Sequence, residues 1–308
     1  MYNIFNYGGR ENYAMIYLIA NEKHLTGGER KKLDAVTEIF KRAGKQCEVL
    51  TTNKEGDAKA HAERITSSGE KHTLVAMGGD GTLHDIINGF KDFENCCLGL
   101  IPLGTGNDFA ATARIPLNVK QAAEIIAFRE PEYIDFIEFS NGVRSINIAG
   151  MGIDVDVLER TYAGKNKGKS KYVKALISSL LHFESRKFIA KFNGEEKEIN
   201  GLICAVCNGR QMGGGIKVCP SAKLNDGFIE LFMCDYLSKS RIIGAFLKLI
   251  TGRVHKVKEA QTVRVKSAVF IPQQEDYTIQ LDGELYKNIP FEVRVVSEKL
   301  KFFLPARR

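Results

Sequence analysis

No apolar run approaches the roughly 20 residues that a bilayer-spanning helix needs, and the N-terminus lacks a basic segment leading to an apolar core and a small-residue cleavage site. These absences predict a soluble, cytoplasmic protein, at most peripheral to a membrane. The six histidines (24, 61, 72, 84, 182 and 255) form no HExxH motif or paired ligand spacing. Cys204 and Cys207 form a CxxC with no second pair to complete a zinc site, and on a strand positions three apart point to opposite faces. An odd count of seven cysteines argues against a disulfide framework and suits a reducing compartment. Any metal must therefore be held by oxygen. Lys+Arg exceeds Asp+Glu by 44 − 37 = 7, too mild for a dedicated nucleic-acid protein but compatible with a phosphate, a nucleotide or a membrane surface.

Internal repeats and low-complexity linkers are absent too, so a domain boundary must be read from a change of period. From Ala14 to about Phe128 short continuous apolar runs (Met15 to Ala20, Cys47 to Thr51, Leu74 to Met77, Leu98 to Ile101) alternate with helical patterns such as Leu33-Val36-Phe40 and Leu83-Ile86-Ile87-Phe90. Continuous runs suit buried parallel strands, and the alternation predicts an α/β domain with a doubly wound parallel sheet. After about Pro131 the period becomes two. Strands are predicted at Tyr133 to Phe139, Val143 to Ile148, Arg186 to Phe192, Gly201 to Cys207, Phe228 to Met233, Val263 to Phe270, Tyr277 to Leu281 and Phe291 to Val296. This pattern predicts a β-sandwich-like second domain, interrupted by helices at Tyr172 to Phe183 and Ser240 to Ile250. The expected division is 1–132 and 133–299, with about 300–308 packing back on the first domain.

Two strand–glycine loop–helix junctions carry chemistry. In the first, Leu74 to Met77 runs into Gly78-Gly79-Asp80-Gly81-Thr82. Glycines let successive N–H groups converge and the helix N-terminus adds positive potential, so the loop suits phosphate, and an acid there is useful when a cation lies between. No GKS or GKT follows, so it is not a Walker loop. The second, Leu98 to Ile101 followed by Pro102-Leu-Gly104-Thr105-Gly106-Asn107-Asp108-Phe109, leaves the same edge of a parallel sheet, where ligands bind. Thr105 can donate to a phosphate. Asp108 reads equally well as a second site carboxylate or as a first-turn helix acid.

GGDGT followed by PLGTGNDFA resembles the diacylglycerol kinase catalytic family, which includes sphingosine and ceramide kinases and soluble bacterial lipid kinases. Further blocks resemble it in order: Asn147 to Asp154, Cys207 to Gly215, Pro220 to Gly227 and Leu281-Asp282-Gly283-Glu284. Together they cover most of the chain from Ala14 onward. The family's Asn-Pro-x-Ser-Gly after the first strand is replaced by Asn21-Glu22-Lys23-His24-Leu25-Thr26-Gly27-Gly28, and Thr52 to Ala58 is similar to its Thr-x-x-x-Gly-Asp-Ala.

The resemblance implies an ATP- and Mg²⁺-dependent kinase phosphorylating the hydroxyl of diacylglycerol or a related lipid at a membrane surface, with no nucleic-acid partner and with monomer and homodimer both open. It places the nucleotide against Asn21, Thr52, Gly78, Gly79, Asp80, Gly81, Thr82, Leu83, His84, Thr105, Asp108 and Glu284. Asp282 is implied as the general base, with Glu284 at the nucleotide and metal end. From pattern alone Asp282-Gly283 is a hairpin turn, and both readings can hold. The resemblance also implies a structural Mg²⁺ on Asp226 and the carbonyls of Lys223 and Phe228, although Asn225 stands where a second Asp is usual. Lys165, Lys167, Lys169, Lys171 and Lys174 form a basic segment that is either a solvated loop or a membrane contact. An NAD kinase and a non-catalytic nucleotide- or membrane-binding module are the rival readings.

Overall fold

The short apolar runs of the first half all become strands of one parallel layer. In this computed structural model, which describes residues 15–22, 27–163, 175–176, 178–180, 182–183 and 185–306, the order is β1 (Met15–Asn21), α1 (Gly27–Arg42), β2 (Cys47–Thr52), α2 (Asp57–Thr66), β3 (His72–Gly78), α3 (Asp80–Gly89), β4 (Cys97–Pro102), α4 (Asp108–Thr112) and α5 (Val119–Phe128). The strands lie in the order β2-β1-β3-β4, each pair parallel. The inner strands β3 and β4 are buried along their whole length because helices cover both faces, which is why the sequence shows runs there rather than alternation. The order reverses between β1 and β3, so the loops leaving these strands open a crevice at the carboxyl edge.

The second half supplies β5 (Glu132–Phe139), β6 (Arg144–Ser145), β7 (Ile148–Gly152), α6 (Ile153–Ala163), β8 (Arg186–Phe192), β9 (Glu195–Cys207), β10 (Ile229–Asp235), α7 (Lys239–Ile250), β11 (Ala260–Val265), β12 (Ser267–Pro272), β13 (Thr278–Leu281), β14 (Glu284–Lys287) and β15 (Phe291–Phe302). Pairing here is antiparallel, and the path runs β14-β13-β7-β9-β8-β12-β15 before joining β4. β15 is the seam. It pairs antiparallel with β12 and β5, and at Lys301 and Phe302 it runs parallel to β4 as a further strand of the first layer.

Alternation along β9 sends side chains into two cores. Cys204 and Val206 face the interior shared by β5, β7, β8, β10, β12 and β13, while Ile203, Ala205 and Cys207 face α6, α7 and residues 175–176. The two cysteines of the CxxC thus lie on opposite sides of the sheet.

Three predictions need correction. Val143 to Ile148 is not one strand: β6 ends at Ser145, and the next main-chain amides turn onto the Asp282 carboxylate instead of continuing a ladder. Val263 to Phe270 breaks at Lys266, because β11 pairs with β10 whereas β12 pairs with β8 and β15. Helix α6 was not anticipated. Of the predicted helix Tyr172 to Phe183, residues 175–176, 178–180 and 182 are described and helical. The Lys165 to Lys174 segment and residues 23–26 of the first loop lie outside the described residues.

Candidate active site

The two glycine loops meet backbone to backbone. A Cβ on Gly104 would fall 2.5 Å from the Gly79 Cα, and one on Gly79 would fall 3.0 Å from the Gly104 Cα, so only glycine permits this approach. The Leu103 amide donates to the Gly78 carbonyl at 2.8 Å, locking the loops together. Asn21 and Thr52 stand side by side in register at the ends of β1 and β2, on the same edge. Thr105 projects from the exposed tip of the second loop.

Asp80 opens α3 and accepts the amides of Asp108 and Phe109, each at 3.1 Å, so it also caps α4. Asp108 in turn accepts from Gln211 Nε2 at 2.9 Å and from the Gly214 amide at 2.8 Å. The two carboxylates converge on Gly106, where a Cβ would lie 3.2 Å from Asp80 Oδ2 and 3.4 Å from Asp108 Oδ2. Glu284 approaches from β14, its Oε1 lying 2.8 Å from where a Cβ on Gly81 would sit. Burial pushes the Asp80 carboxyl up to about 6, reinforced by the charges of Asp108 and Asp282 against two amide hydrogen bonds. Burial likewise raises Asp108, and it raises Glu284 with help from Asp85, Glu55 and Asp282 against His84. Carboxylates crowded at this cost suit a cation. Mg²⁺ characteristically takes one or two carboxylates plus substrate phosphates, and Asp80 with Asp108 provides that donor set.

Asp282 and Gly283 form a two-residue turn between β13 and β14 with φ of 54° and 99°, the geometry of a type I′ hairpin. The Asp282 side chain is 1% exposed. Its carboxylate accepts from Ser145 Oγ at 2.7 Å, from the amides of Ile146, Asn147 and Ile148 at 2.9 to 3.2 Å, and from His84 Nδ1 at 3.0 Å. With a carboxylate opposite, Nδ1 carries a proton toward Asp282, and Nε2 shares a hydrogen bond with the Tyr286 hydroxyl at 2.7 Å. Five donors saturate a carboxylate that has about four acceptor positions. Its oxygens tie the 145–148 segment to the hairpin, so a general base at Asp282 would have to give up one of these bonds to accept a proton.

Two residues of the expected nucleotide set have buried side chains. Leu83 is fully buried in the core of the first layer, on the same apolar helix face as Ile86 and Ile87, so its side chain cannot touch a nucleotide. His84 is buried with both ring nitrogens engaged and orients Asp282. At the expected Mg²⁺ loop the carboxylate has protein partners. Asp226 Oδ2 pairs with the Arg264 guanidinium at 2.7 Å, and its Oδ1 accepts the Phe228 amide at 3.2 Å. The Arg264 guanidinium also lies 4.3 Å from the Phe228 ring centre. Arg264 is shared with Glu230 at 3.8 Å, and Asp135 accepts the Gly227 amide at 2.8 Å, so an ion on Lys223, Asp226 and Phe228 would have to displace the guanidinium from Asp226.

Residues that sequence reasoning missed join the site from the second half. Gln211 steadies Asp108, while Tyr162 on α6 donates to the Gly283 carbonyl at 2.7 Å. Beside Gln211, Met212 lines an apolar cavity with Ile153, Val157, Leu176, Ile203 and Phe246 between the sheet and its helices. Asp154, also on that wall, is raised to about 7 by burial.

Comparison with known proteins places this geometry. The family model described as "Diacylglycerol kinase catalytic domain" matches residues 15–139, and that described as "YegS C-terminal NAD kinase beta sandwich-like domain" matches residues 147–304. A curated relative named "Probable lipid kinase YegS-like", from Xanthomonas oryzae pv. oryzae (strain MAFF 311018), is 32% identical over 301 residues, spanning 94% of this chain and 95% of its own. The chain belongs to the YegS-like lipid kinase family. A relative of the same name from Pectobacterium atrosepticum is 30% identical over 308 residues, covering 96% and 97% of the two chains. A crystal structure described as a diacylglycerol kinase from Bacillus anthracis str. Sterne shares the fold with a TM-score of 0.73 at 20% identity over 96% of this chain and 98% of that one. Another chain from that organism reaches 0.80 at 22% identity, over 98% of both chains. As a member of this family the chain is a kinase, a phosphotransferase that uses ATP. Among the described residues no helix is long and apolar enough to cross a membrane.

Proposed function

We propose that this lipid kinase transfers the γ-phosphoryl group of ATP to the free hydroxyl of diacylglycerol, or a closely related lipid, giving phosphatidic acid from diacylglycerol. The observation that carries the reading is the Gln211–Met212 step: one residue holds a carboxylate at the nucleotide edge, and the next lines the apolar cavity. A lipid whose chain enters that cavity would present its polar end to the cleft beside Asp108. The nucleotide lies along the glycine loops, Asn21, Thr52 and Thr105, within residues 1–132, while 133–299 hold the lipid. Asp80 and Asp108 would hold Mg²⁺, which supplies charge neutralisation for the phosphates of ATP. Asp226 does not hold it.

Glu284 is the proton acceptor in this proposal. As the lipid oxygen forms its bond to the γ-phosphorus and the bond to the ADP oxygen breaks, the hydroxyl proton passes to the Glu284 carboxylate. Burial raises the Glu284 carboxyl, which makes it a stronger base than an ordinary glutamate. Asp282 and His84 are positioning residues that fix the hairpin carrying it.

A radiolabelled ATP assay against diacylglycerol, ceramide, sphingosine, phosphatidylglycerol and NAD, with and without Mg²⁺, tests the reading. Label in phosphatidic acid, dependent on Mg²⁺, is expected. Label confined to another acceptor would refute the substrate assignment.

A further inference from the structure

Helix α7 carries two apolar faces where packing against its own sheet requires one. Ile242, Ala245 and Leu249 line the cavity. On the other side Ile243, Leu247 and Ile250, spaced i, i+4 and i+7, are 58%, 58% and 43% exposed. The charge around them is of one sign. Between positions 239 and 258 the sequence holds six basic residues (Lys239, Arg241, Lys248, Arg253, Lys256, Lys258) and no Asp or Glu, against a net charge of +7 for the whole chain. Lys248, Arg253, Lys256 and Lys258 are exposed. The first acid after them, Glu259, is paired with Arg241.

An exposed aliphatic stripe edged by cations is the composition of a helix that lies in a membrane interface, its apolar side at the acyl boundary and its cations among lipid phosphates. We propose that the outer face of α7 is the membrane-docking surface of this enzyme, engaging an anionic bilayer through Ile243, Leu247, Ile250 and the adjoining lysines and arginine. A second copy of the chain fits this face less well. A two-fold contact would set the cationic patch against itself, and interface cores are poor in lysine, whereas an anionic surface is complementary. The proposal rests on the lipid-acceptor reading for its purpose. It also gives α7 a double role, because the wall of the proposed lipid cavity and the docking face are two sides of one helix.

The chain contains no tryptophan, so Leu247→Trp introduces a single fluorescent reporter. Its emission should shift to the blue and be quenched by brominated lipid in vesicles containing phosphatidylglycerol, with much smaller changes on pure phosphatidylcholine. Ile243→Ser with Leu247→Ser should lower co-sedimentation with anionic vesicles at least ten-fold. Neutralising Lys248, Arg253 and Lys256 to Gln should lower it by up to about 100-fold at low salt, less at high salt. Neither set of changes should alter kcat on short-chain diacylglycerol in neutral detergent micelles. Unchanged vesicle binding in both variants would overturn the proposal. So would a reporter already blue-shifted without lipid in a protein that sediments as a dimer and becomes monomeric on Ile243→Ser with Leu247→Ser. Vesicle binding that depends on these residues in a protein inactive on every diacylglycerol preparation would support docking while refuting the substrate assignment.

Discussion

Replacing Glu284 by Gln and Asp282 by Asn separates the base from the residue that holds it in place. Glu284 is half-buried over Gly81, and Gln keeps its size while removing the basic oxygen. Loss of a positioned general base costs about 10²- to 10⁴-fold, so kcat should fall by that amount with little change in the KM for ATP or in Tm. Asp282→Asn should behave differently. Asn tolerates the left-handed backbone at φ 54°, so the turn survives. The new amide, however, meets donors on every side. Placed at Oδ1 it opposes Ser145 Oγ and the amides of Asn147 and Ile148; placed at Oδ2 it opposes the Ile146 amide, while His84 can change tautomer and accept. The second orientation is the less costly one, leaving a single buried donor unpaired at about 1–3 kcal/mol. At 2–4 °C per kcal/mol this is a Tm loss of roughly 2–12 °C. Thermal melts and ADP-release kinetics on micellar diacylglycerol measure both variants. An E284Q enzyme with kcat within a few-fold of wild type, beside a D282N enzyme of normal Tm that has lost about 10²-fold or more in kcat, would refute the assignment and return the base to Asp282.

Asp80 has its carboxyl raised from 3.8 to about 6, so the folded state holds more protons than the unfolded one between these values, and stability falls as pH rises through that window. The penalty above pH 6 is about 3 kcal/mol by the pKa difference, and Asp80→Asn relieves it at the cost of about 1 kcal/mol for one lost amide bond. D80N without nucleotide should therefore melt higher than wild type at pH 7 and lack most of the pH slope between 4 and 6, while losing activity; a lower Tm at pH 7 would count against the charge crowding. Because Asp226 is paired with Arg264, Asp226→Asn should leave unchanged any rise in Tm that millimolar Mg²⁺ gives over chelator without ATP, and a rise lost in the variant would assign the ion to this loop. Gly104→Ala should raise the KM for ATP about ten-fold or more and lower stability by about 1–3 kcal/mol, since its Cβ meets the Gly79 backbone; a normal KM would show that the loops need no such approach.

The parallel strands were legible because both their faces are covered, which leaves continuous apolar runs between helical patterns. The β-rich half was legible in period but not in partners: nothing local marks Lys266 as the point where the chain leaves β10 for β8 and β15. The acids of the cleft could be found because glycines flank them. Burial could not be read from the motif, and the motif alone assigned Leu83 and His84 to the nucleotide. The signal for the burial of Leu83 was present, since it belongs to the apolar stripe Leu83-Ile86-Ile87-Phe90 and faces inward with it. For Asp282 no linear signal exists, because its five donors come from residues more than 130 positions away.

The way β15 completes the first layer has a consequence in time. The free edge of β4 at Cys97 is met by Lys301, about 200 residues later in the chain. At about 5–20 residues per second a ribosome takes roughly 10–40 s to cover that distance. Throughout that interval the nascent nucleotide layer presents an unpaired parallel edge, open to strands of neighbouring chains. Closure of the first layer thus waits for a strand made about 200 residues after β4. Crowded expression should favour aggregation through this edge, and slower initiation or lower temperature should raise the yield of folded enzyme.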